Sequence, residues 1–195
     1  PLSRLAFAKE KYEMFLASHQ HQAIQFIVLG AGLDSFSLTN DNPQVEVYEF
    51  DHPNSFRYKL ARTESLNLVM QKNLHFVPID FEKQSLSTLL KESPIKPTVP
   101  TFITFLGVAY YLELNTLKDT LATLSSFFKG ELTLVFDYPD NTTKTSPTNS
   151  RVTKLANLTS LLGEHMVDGF SYSQIQTLLL NTHFNLDEHL APHDI

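Results

Sequence analysis

The sequence lacks cysteine, long apolar runs and clusters of basic residues, and each absence excludes a class of protein. Without cysteine, disulfides and thiolate metal sites are impossible. No apolar stretch approaches the roughly 18 residues of a membrane-spanning helix, and the charged start of the chain is unlike a signal peptide. The net charge is −6 and the 15 lysines and arginines are scattered. We therefore expect a cytoplasmic protein whose partners include neither nucleic acid nor membrane.

The sequence also shows no cluster of metal ligands, no catalytic triad and no internal repeat. The eight histidines are spread along the chain. His19 and His21 lie two residues apart near the end of a helical pattern, and we interpret them as solvated rather than metal-binding. We therefore predict no metal site.

Short apolar runs alternate with amphipathic segments along the chain. The runs are rich in β-branched and aromatic residues, which is typical of strands; they cover 24–29, 45–50, 74–79, 101–106 and 132–136. Helical patterns follow at 53–69, 85–91, 114–129, 152–162 and 171–180. This alternation predicts an α/β fold with a doubly wound, mostly parallel sheet.

The rest of the chain completes a single predicted domain, 1–195. Residues 138–150 are polar and rich in turn formers, so we expect a loop there. Residues 183–189 alternate between apolar and polar and are predicted to form a terminal antiparallel strand. Because the chain begins at Pro1 within a helical pattern, we allow for a missing N-terminal segment.

A glycine-rich turn follows the first predicted strand. Gly30, Ala31 and Gly32 come directly after the apolar run, and Asp34 follows two positions later. Glycines at this place let the chain turn sharply and let a ligand approach the backbone. The third glycine of a dinucleotide fingerprint is replaced by Ser35, so a tight turn without a ligand is the alternative.

An acidic residue ends the second predicted strand, about twenty residues after the glycines. In open α/β folds an acid at the position of Asp51 accepts hydrogen bonds from ribose hydroxyls. The alternative is that Asp51 caps the helix that begins near Pro53. Glu49 lies two residues earlier and faces the same side of the strand, which makes it the second candidate.

Two further segments follow the third and fourth predicted strands. Asp80 and Phe81 could bond and cover a nucleobase, and the alternatives are a helix cap and a core residue. Gly107 allows close approach of a ligand, while Tyr110 and Tyr111 place hydroxyls near the mouth of the crevice. Tyrosines at a strand end are more often packing residues than catalysts.

These segments, LGAGLDS, VYEFDHP, FVPIDFE and FLGVAYYL, resemble in order and spacing the motifs of the leucine carboxyl methyltransferase family. The C-terminal DGFSYSQIQTLLLNTHFNLDEHL is similar to the closing part of that family, so the resemblance runs from about residue 4 to 190. It implies a class I methyltransferase fold, S-adenosylmethionine as the cofactor, and an oxygen acceptor such as a carboxylate.

The resemblance also implies roles for particular residues. The glycine loop corresponds to Gly30, Ala31 and Gly32, and the ribose-binding acid to Asp51. The adenine side is implied to lie at Asp80 and Phe81. An N-terminal arginine that meets the methionine carboxylate in the family corresponds loosely to Arg4.

One position departs from the family. Many members have an acid just before the glycine of the fourth motif, where it helps to hold the cofactor, and here Leu106 occupies that position. Leucine cannot accept a hydrogen bond from the cofactor's ammonium. This departure favours lower affinity, compensation by another acid, or a non-catalytic relative that kept the fold.

The implied chemistry explains why no catalytic triad is found. A carboxylate acceptor, in a small molecule or a peptide, is already ionised at neutral pH and needs no base. A hydroxyl acceptor would need one, with Tyr110, Tyr111 or His52 as candidates. A nicotinamide-dependent oxidoreductase is a further alternative because it shares the acid after the second strand.

Overall fold

A five-stranded sheet organises the chain. The computed structural model describes residues 2–80, 84–141 and 166–191. The strands are β1 (Ile24–Leu29), β2 (Val45–Asp51), β3 (Leu74–Pro78), β4 (Thr101–Phe105) and β5 (Leu132–Phe136), and their order is β3-β2-β1-β4-β5. β1 pairs in parallel with β2 and β4, and β2 pairs in parallel with β3. The predicted, mostly parallel α/β sheet is confirmed.

Helices connect these strands. They are α1 (Leu2–Ser18), α2 (Phe36–Thr39), α3 (Pro53–Ser65), α4 (Leu86–Glu92), α5 (Leu114–Phe127) and α6 (Tyr172–Asn181), with a 3-10 turn at Ala109–Tyr111. The short α2 was not predicted, and α3 ends earlier than the pattern suggested. The predicted helix at 152–162 and most of the predicted loop at 138–150 lie outside the described residues.

The strand order places a reversal of winding between β1 and β4. The chain moves from β1 outward to β3 and then returns to β4 on the other side of β1. In open α/β sheets, ligands bind outside the carboxyl ends of the strands at such a reversal. The loop that follows β1 therefore lies at the position where a ligand is expected.

The central strands are buried along their whole length. Every residue of β1 and β4 is buried, as expected of parallel strands between helices. On α1, Ala8, Tyr12 and Phe15 lie on one face and belong to the same buried cluster. The Tyr12 ring lies 4.8 Å from that of Phe26, which stacks on Phe102 at 5.7 Å.

The chain folds as two compact units. The first consists of Pro1–Leu106 and Ser126–Val135, and the second of Gly107–Ser125 and Phe136–Ile195. The organisation of 1–195 as one domain stays a prediction.

The predicted terminal antiparallel strand is wrong. Residues 184–190 form neither helix nor strand. Phe184 N–H donates to the Leu179 carbonyl at 2.9 Å and closes the end of α6. Residues 185–188 are exposed, and Leu186 is 40% exposed. The alternation that predicted a strand therefore does not mark a buried face.

The predicted solvation of His19 is also wrong. His19 is buried, and its ring lies 4.2 Å from that of Phe15. Its Nδ1 lies 2.8 Å from the Phe15 carbonyl and its Nε2 lies 3.2 Å from Glu131 Oε2. A histidine that bonds a carbonyl of the last turn closes the end of a helix, and His19 does so for α1.

Candidate cofactor site

The glycine loop after β1 turns through left-handed backbone. Gly30 has φ 75° and Gly32 has φ 50°, a region that side chains other than glycine rarely adopt. Gly30 N–H and Ala31 N–H both donate to the Phe50 carbonyl, at 2.8 and 3.2 Å. A Cβ added to Gly32 would meet no atom within 4 Å. The loop is thus fixed to the end of β2 and borders open space.

Asp51 is joined to this loop through its side chain. Gly32 N–H donates to Asp51 Oδ2, and His52 N–H donates to Asp51 Oδ1 at 2.6 Å. A carboxylate has about four acceptor positions, so each oxygen of this half-buried side chain keeps capacity for one more donor. That capacity suits the two adjacent hydroxyls of a ribose.

The alternative role of Asp51 as a helix cap is wrong. His52 is the N-cap of α3, and its Nδ1 accepts a hydrogen bond from Asn54 N–H at 3.2 Å. Pro53 occupies the first turn, as predicted. The Asp51 carboxylate is therefore not used to cap the N-terminus of α3.

Asp80 lies at the end of β3, next to this region. Ile79 N–H donates to the Asp51 carbonyl at 2.8 Å, which ties the two strand ends together. Asp80 Oδ2 lies 3.9 Å from His52 Nε2. The N-cap of α4 is Ser85, so the alternative role of Asp80 as that helix's cap is wrong. Phe81 lies outside the described residues.

Glu49, the second ribose candidate, has a different role. It is fully buried, and both of its carboxylate oxygens accept hydrogen bonds from Lys59 Nζ, at 2.7 and 2.8 Å. Ser37 Oγ–H donates to the same carboxylate. No local pattern in the sequence signals this contact, because Lys59 lies ten residues away on α3.

Arg4 and Leu106 lie at the border of the core of the first unit. Arg4 is half-buried on α1, four residues before Ala8, so it continues the face that packs on the sheet. Leu106 is half-buried and packs against the cluster that contains Ala8 and Ala31. The structure joins neither residue to Asp51 by a hydrogen bond, and their roles at the cofactor stay predictions.

The remaining candidates belong to the second unit. Tyr110 is half-buried and Tyr111 is 39% exposed, both on the 3-10 turn. Gly107, with φ 74°, donates its N–H to Asp137 Oδ1 at 2.6 Å. Asp137 was not among the predicted residues, although it directly follows the apolar run of β5. An acid after a strand in this fold class was a signal that could have marked it.

A half-buried tyrosine follows Asp137. Tyr138 Oη lies 2.8 Å from His189 Nε2. Burial raises the pKa of Tyr138 to about 12, and Asp140 and Tyr172 add to the increase. The phenol therefore stays protonated at neutral pH and is not itself a base.

Two further findings concern the described part of the chain. Within residues 2–80, 84–141 and 166–191, no helix is long and apolar enough to cross a membrane. Among the same residues, no three His, Asp or Glu side chains form a group that could hold a metal ion.

Solved structures define the class of fold. The chain is similar to magnesium protoporphyrin IX methyltransferase of Synechocystis PCC 6803 with bound SAH, at 13% identity and a TM-score of 0.57, covering 94% of this chain and 74% of that one. It is also similar to the methyltransferase domain of bacterial CtHen1-C, at 13% identity and a TM-score of 0.59, covering 93% and 83%. The fold is therefore that of the class I methyltransferases.

Sequence comparison assigns the family within this class. The family model for leucine carboxyl methyltransferase matches residues 2–125. YktD of Bacillus subtilis (strain 168), a protein named for S-adenosyl-L-methionine-dependent methyltransferase activity, is 33% identical over the whole of this chain. The chain belongs to the leucine carboxyl methyltransferase family. It spans 64% of the length of YktD.

Proposed function

We propose that this protein binds S-adenosylmethionine and transfers the methyl group to an oxygen acceptor, a carboxylate of a small molecule or a peptide. The observation that best supports this proposal is the hydrogen bond from Gly32 N–H to the Asp51 carboxylate. It combines open space beside a glycine with unused carboxylate acceptors at the carboxyl ends of β1 and β2. Family membership supports the same cofactor and suggests the carboxylate.

The residues of the first unit fit the parts of this cofactor. Gly32 offers backbone without a Cβ where the methionine portion would pass. Asp51 has acceptors for the ribose hydroxyls, and Asp80, at the end of β3, is proposed to bond the adenine amino group. Arg4 has the charge that the methionine carboxylate requires. Phe81 is proposed to cover the adenine ring.

Methyl transfer to a carboxylate requires little acid–base catalysis by the protein. When bound, the cofactor would supply a methyl group on a positively charged sulfur. A lone pair of the acceptor oxygen would form the new C–O bond while the C–S bond breaks and a neutral thioether leaves. A carboxylate is ionised at neutral pH, so no proton has to be removed. The contribution of the chain is to hold the acceptor in line and to exclude water.

A hydroxyl acceptor would change the demands on the protein. Its proton must be removed during transfer, and Tyr110, Tyr111 and His52 are then the candidates for that role. The carboxylate reaction predicts little loss of rate on Tyr110→Phe, Tyr111→Phe or His52→Asn, whereas the hydroxyl reaction predicts a loss of about 100-fold in one of the three.

The chemical stability of the product tests the proposed acceptor. The protein would be incubated with methyl-labelled cofactor and with small carboxylic acids, peptides ending in a free carboxylate, and the same peptides ending in an amide. We expect label in the first two groups that mild base releases as methanol, because esters hydrolyse and ethers or methylamines do not. Base-stable label would contradict the carboxylate acceptor, and bound cofactor without turnover would favour the non-catalytic relative.

A further inference from the structure

A buried ion pair lies behind the glycine loop. Lys59 on α3 is 2% exposed and Glu49 on β2 is fully buried. All three protons of the Lys59 ammonium have acceptors, because two bonds go to Glu49 and the third goes to the Asp34 carbonyl at 2.5 Å. An ammonium has three donors, so this group is fully satisfied without solvent or ligand.

The pair reaches the glycine loop at two points. The Asp34 carbonyl belongs to the segment that leaves the loop, and Ser37 Oγ–H, on α2, donates to the Glu49 carboxylate. The start of the loop is held separately, by the Phe50 carbonyl and the Asp51 side chain. The ion pair and the end of β2 together hold the whole segment from residue 30 to 37 against β2 and α3.

A buried ion pair is weak support for stability on its own. Desolvation of the two charges offsets most of their attraction, and replacing such a pair with apolar side chains of similar volume is often neutral or stabilising. The bond to the Asp34 carbonyl gives the buried ammonium its third acceptor and also fixes the backbone that leaves the glycine loop. That bond connects a charge on α3 to the backbone next to the proposed cofactor.

We propose that Lys59 and Glu49 are positioning residues that hold the 30–37 segment in the conformation that binds the cofactor. This inference rests on the proposed function, since it assumes that the glycine loop contacts S-adenosylmethionine. Neither side chain touches the cofactor. They act through the Asp34 carbonyl and Ser37, which set the direction in which the chain leaves Gly32.

The double variant Glu49→Leu/Lys59→Met separates positioning from stability. Single substitution of Lys59 by Met leaves a buried carboxylate without its counter-ion and is expected to destabilise the protein. The double variant removes both charges together, so its urea midpoint should return towards that of the wild type. The Asp34 carbonyl still lacks its donor, and we expect at least tenfold weaker binding of S-adenosylmethionine with faster amide exchange in residues 32–37.

The matched control is Lys72→Met, at an exposed lysine of the same unit. It should bind S-adenosylmethionine with the affinity of the wild type. A double variant that is stable and binds the cofactor with wild-type affinity would overturn the positioning role. A failure of the underlying proposal gives a different pattern, in which the wild type does not bind or Asp51→Asn binds as tightly as the wild type.

Discussion

At the scale of single residues, Gly32 has two separate requirements. Its φ of 50° is unfavourable for side chains, and the space beside it is open. Alanine at such a position costs about 1–2 kcal/mol in backbone energy, whereas asparagine tolerates left-handed backbone better. The backbone requirement and the ligand requirement can therefore be separated by two substitutions.

We expect Gly32→Ala to lower the free energy of unfolding by about 1–2 kcal/mol, and Gly32→Asn to lower it less. Both should weaken cofactor binding by tenfold or more, because each places a side chain where the cofactor would lie. Urea titrations and binding titrations on the two variants make the comparison. Binding by Gly32→Asn that equals the wild type would show that the cofactor does not approach this glycine.

Leu106 is the second residue at which a substitution is informative. An acid at this position is implied to bond the ammonium of the methionine portion, so Leu106→Glu should tighten S-adenosylhomocysteine by about tenfold, or 1.4 kcal/mol. The variant should leave 5′-methylthioadenosine unchanged, since that molecule has no ammonium. Leu106→Gln is the neutral control. An equal change for both ligands would contradict the implied role of this position.

At the scale of secondary structure elements, two helices have a serine as their N-cap residue, but only one of these serines makes a capping hydrogen bond. Ser171 Oγ accepts from Gln174 N–H at 3.2 Å, and Gln174 Oε1 accepts from Ser171 N–H at 2.8 Å, which completes a capping box on α6. Ser85 at the start of α4 makes no such side-chain bond. The effect of removing an N-cap serine can therefore be compared between α6 and α4 in the same protein.

We expect Ser171→Ala to cost about 1 kcal/mol and to increase amide exchange in the first turn of α6 about fivefold. Ser85→Ala should change exchange in α4 by much less, because no side-chain bond is lost. Hydrogen exchange measured on both variants is the test. Equal effects at the two helices would contradict the capping geometry.

The elements were predictable where one short segment of sequence determines them. Each of the five apolar runs became a strand, and the turn at Gly30 and Gly32 followed from glycine itself. The terminal strand failed because alternation in the sequence does not ensure a partner strand. The pair of Glu49 and Lys59 joins two elements, as does the contact of Gly107 with Asp137, and such contacts require the fold before they can be recognised.

At the scale of the whole molecule, three tyrosines make the free energy of unfolding depend on pH in the alkaline range. Burial raises the pKa of Tyr12 and Tyr48, with a contribution from Glu46 at Tyr48, and raises that of Tyr138 to about 12. Between pH 10 and 12 the unfolded chain loses protons that the folded chain keeps. Stability from these groups is therefore complete below pH 10 and falls as the pH rises.

We expect the urea midpoint to be steady at pH 8–9 and to fall above about pH 10. Tyr138→Phe should reduce the slope of that fall, and Tyr58→Phe, at a ring that is 62% exposed, is the control. A wild-type midpoint that stays constant to pH 11 would contradict the predicted linkage. An equal effect of the two substitutions would contradict the part assigned to Tyr138.

The central claim is that the loop of Gly32 and the carboxylate of Asp51 together bind S-adenosylmethionine. Calorimetric titration with this cofactor and with NADH, on the wild type, Asp51→Asn and Asp41→Asn, tests it most directly. Asp41 is an exposed acid of the same unit and serves as the control. We predict that the wild type and Asp41→Asn bind only S-adenosylmethionine and that Asp51→Asn binds it at least tenfold more weakly. Binding of NADH alone, or equal affinity in Asp51→Asn and Asp41→Asn, would contradict the account.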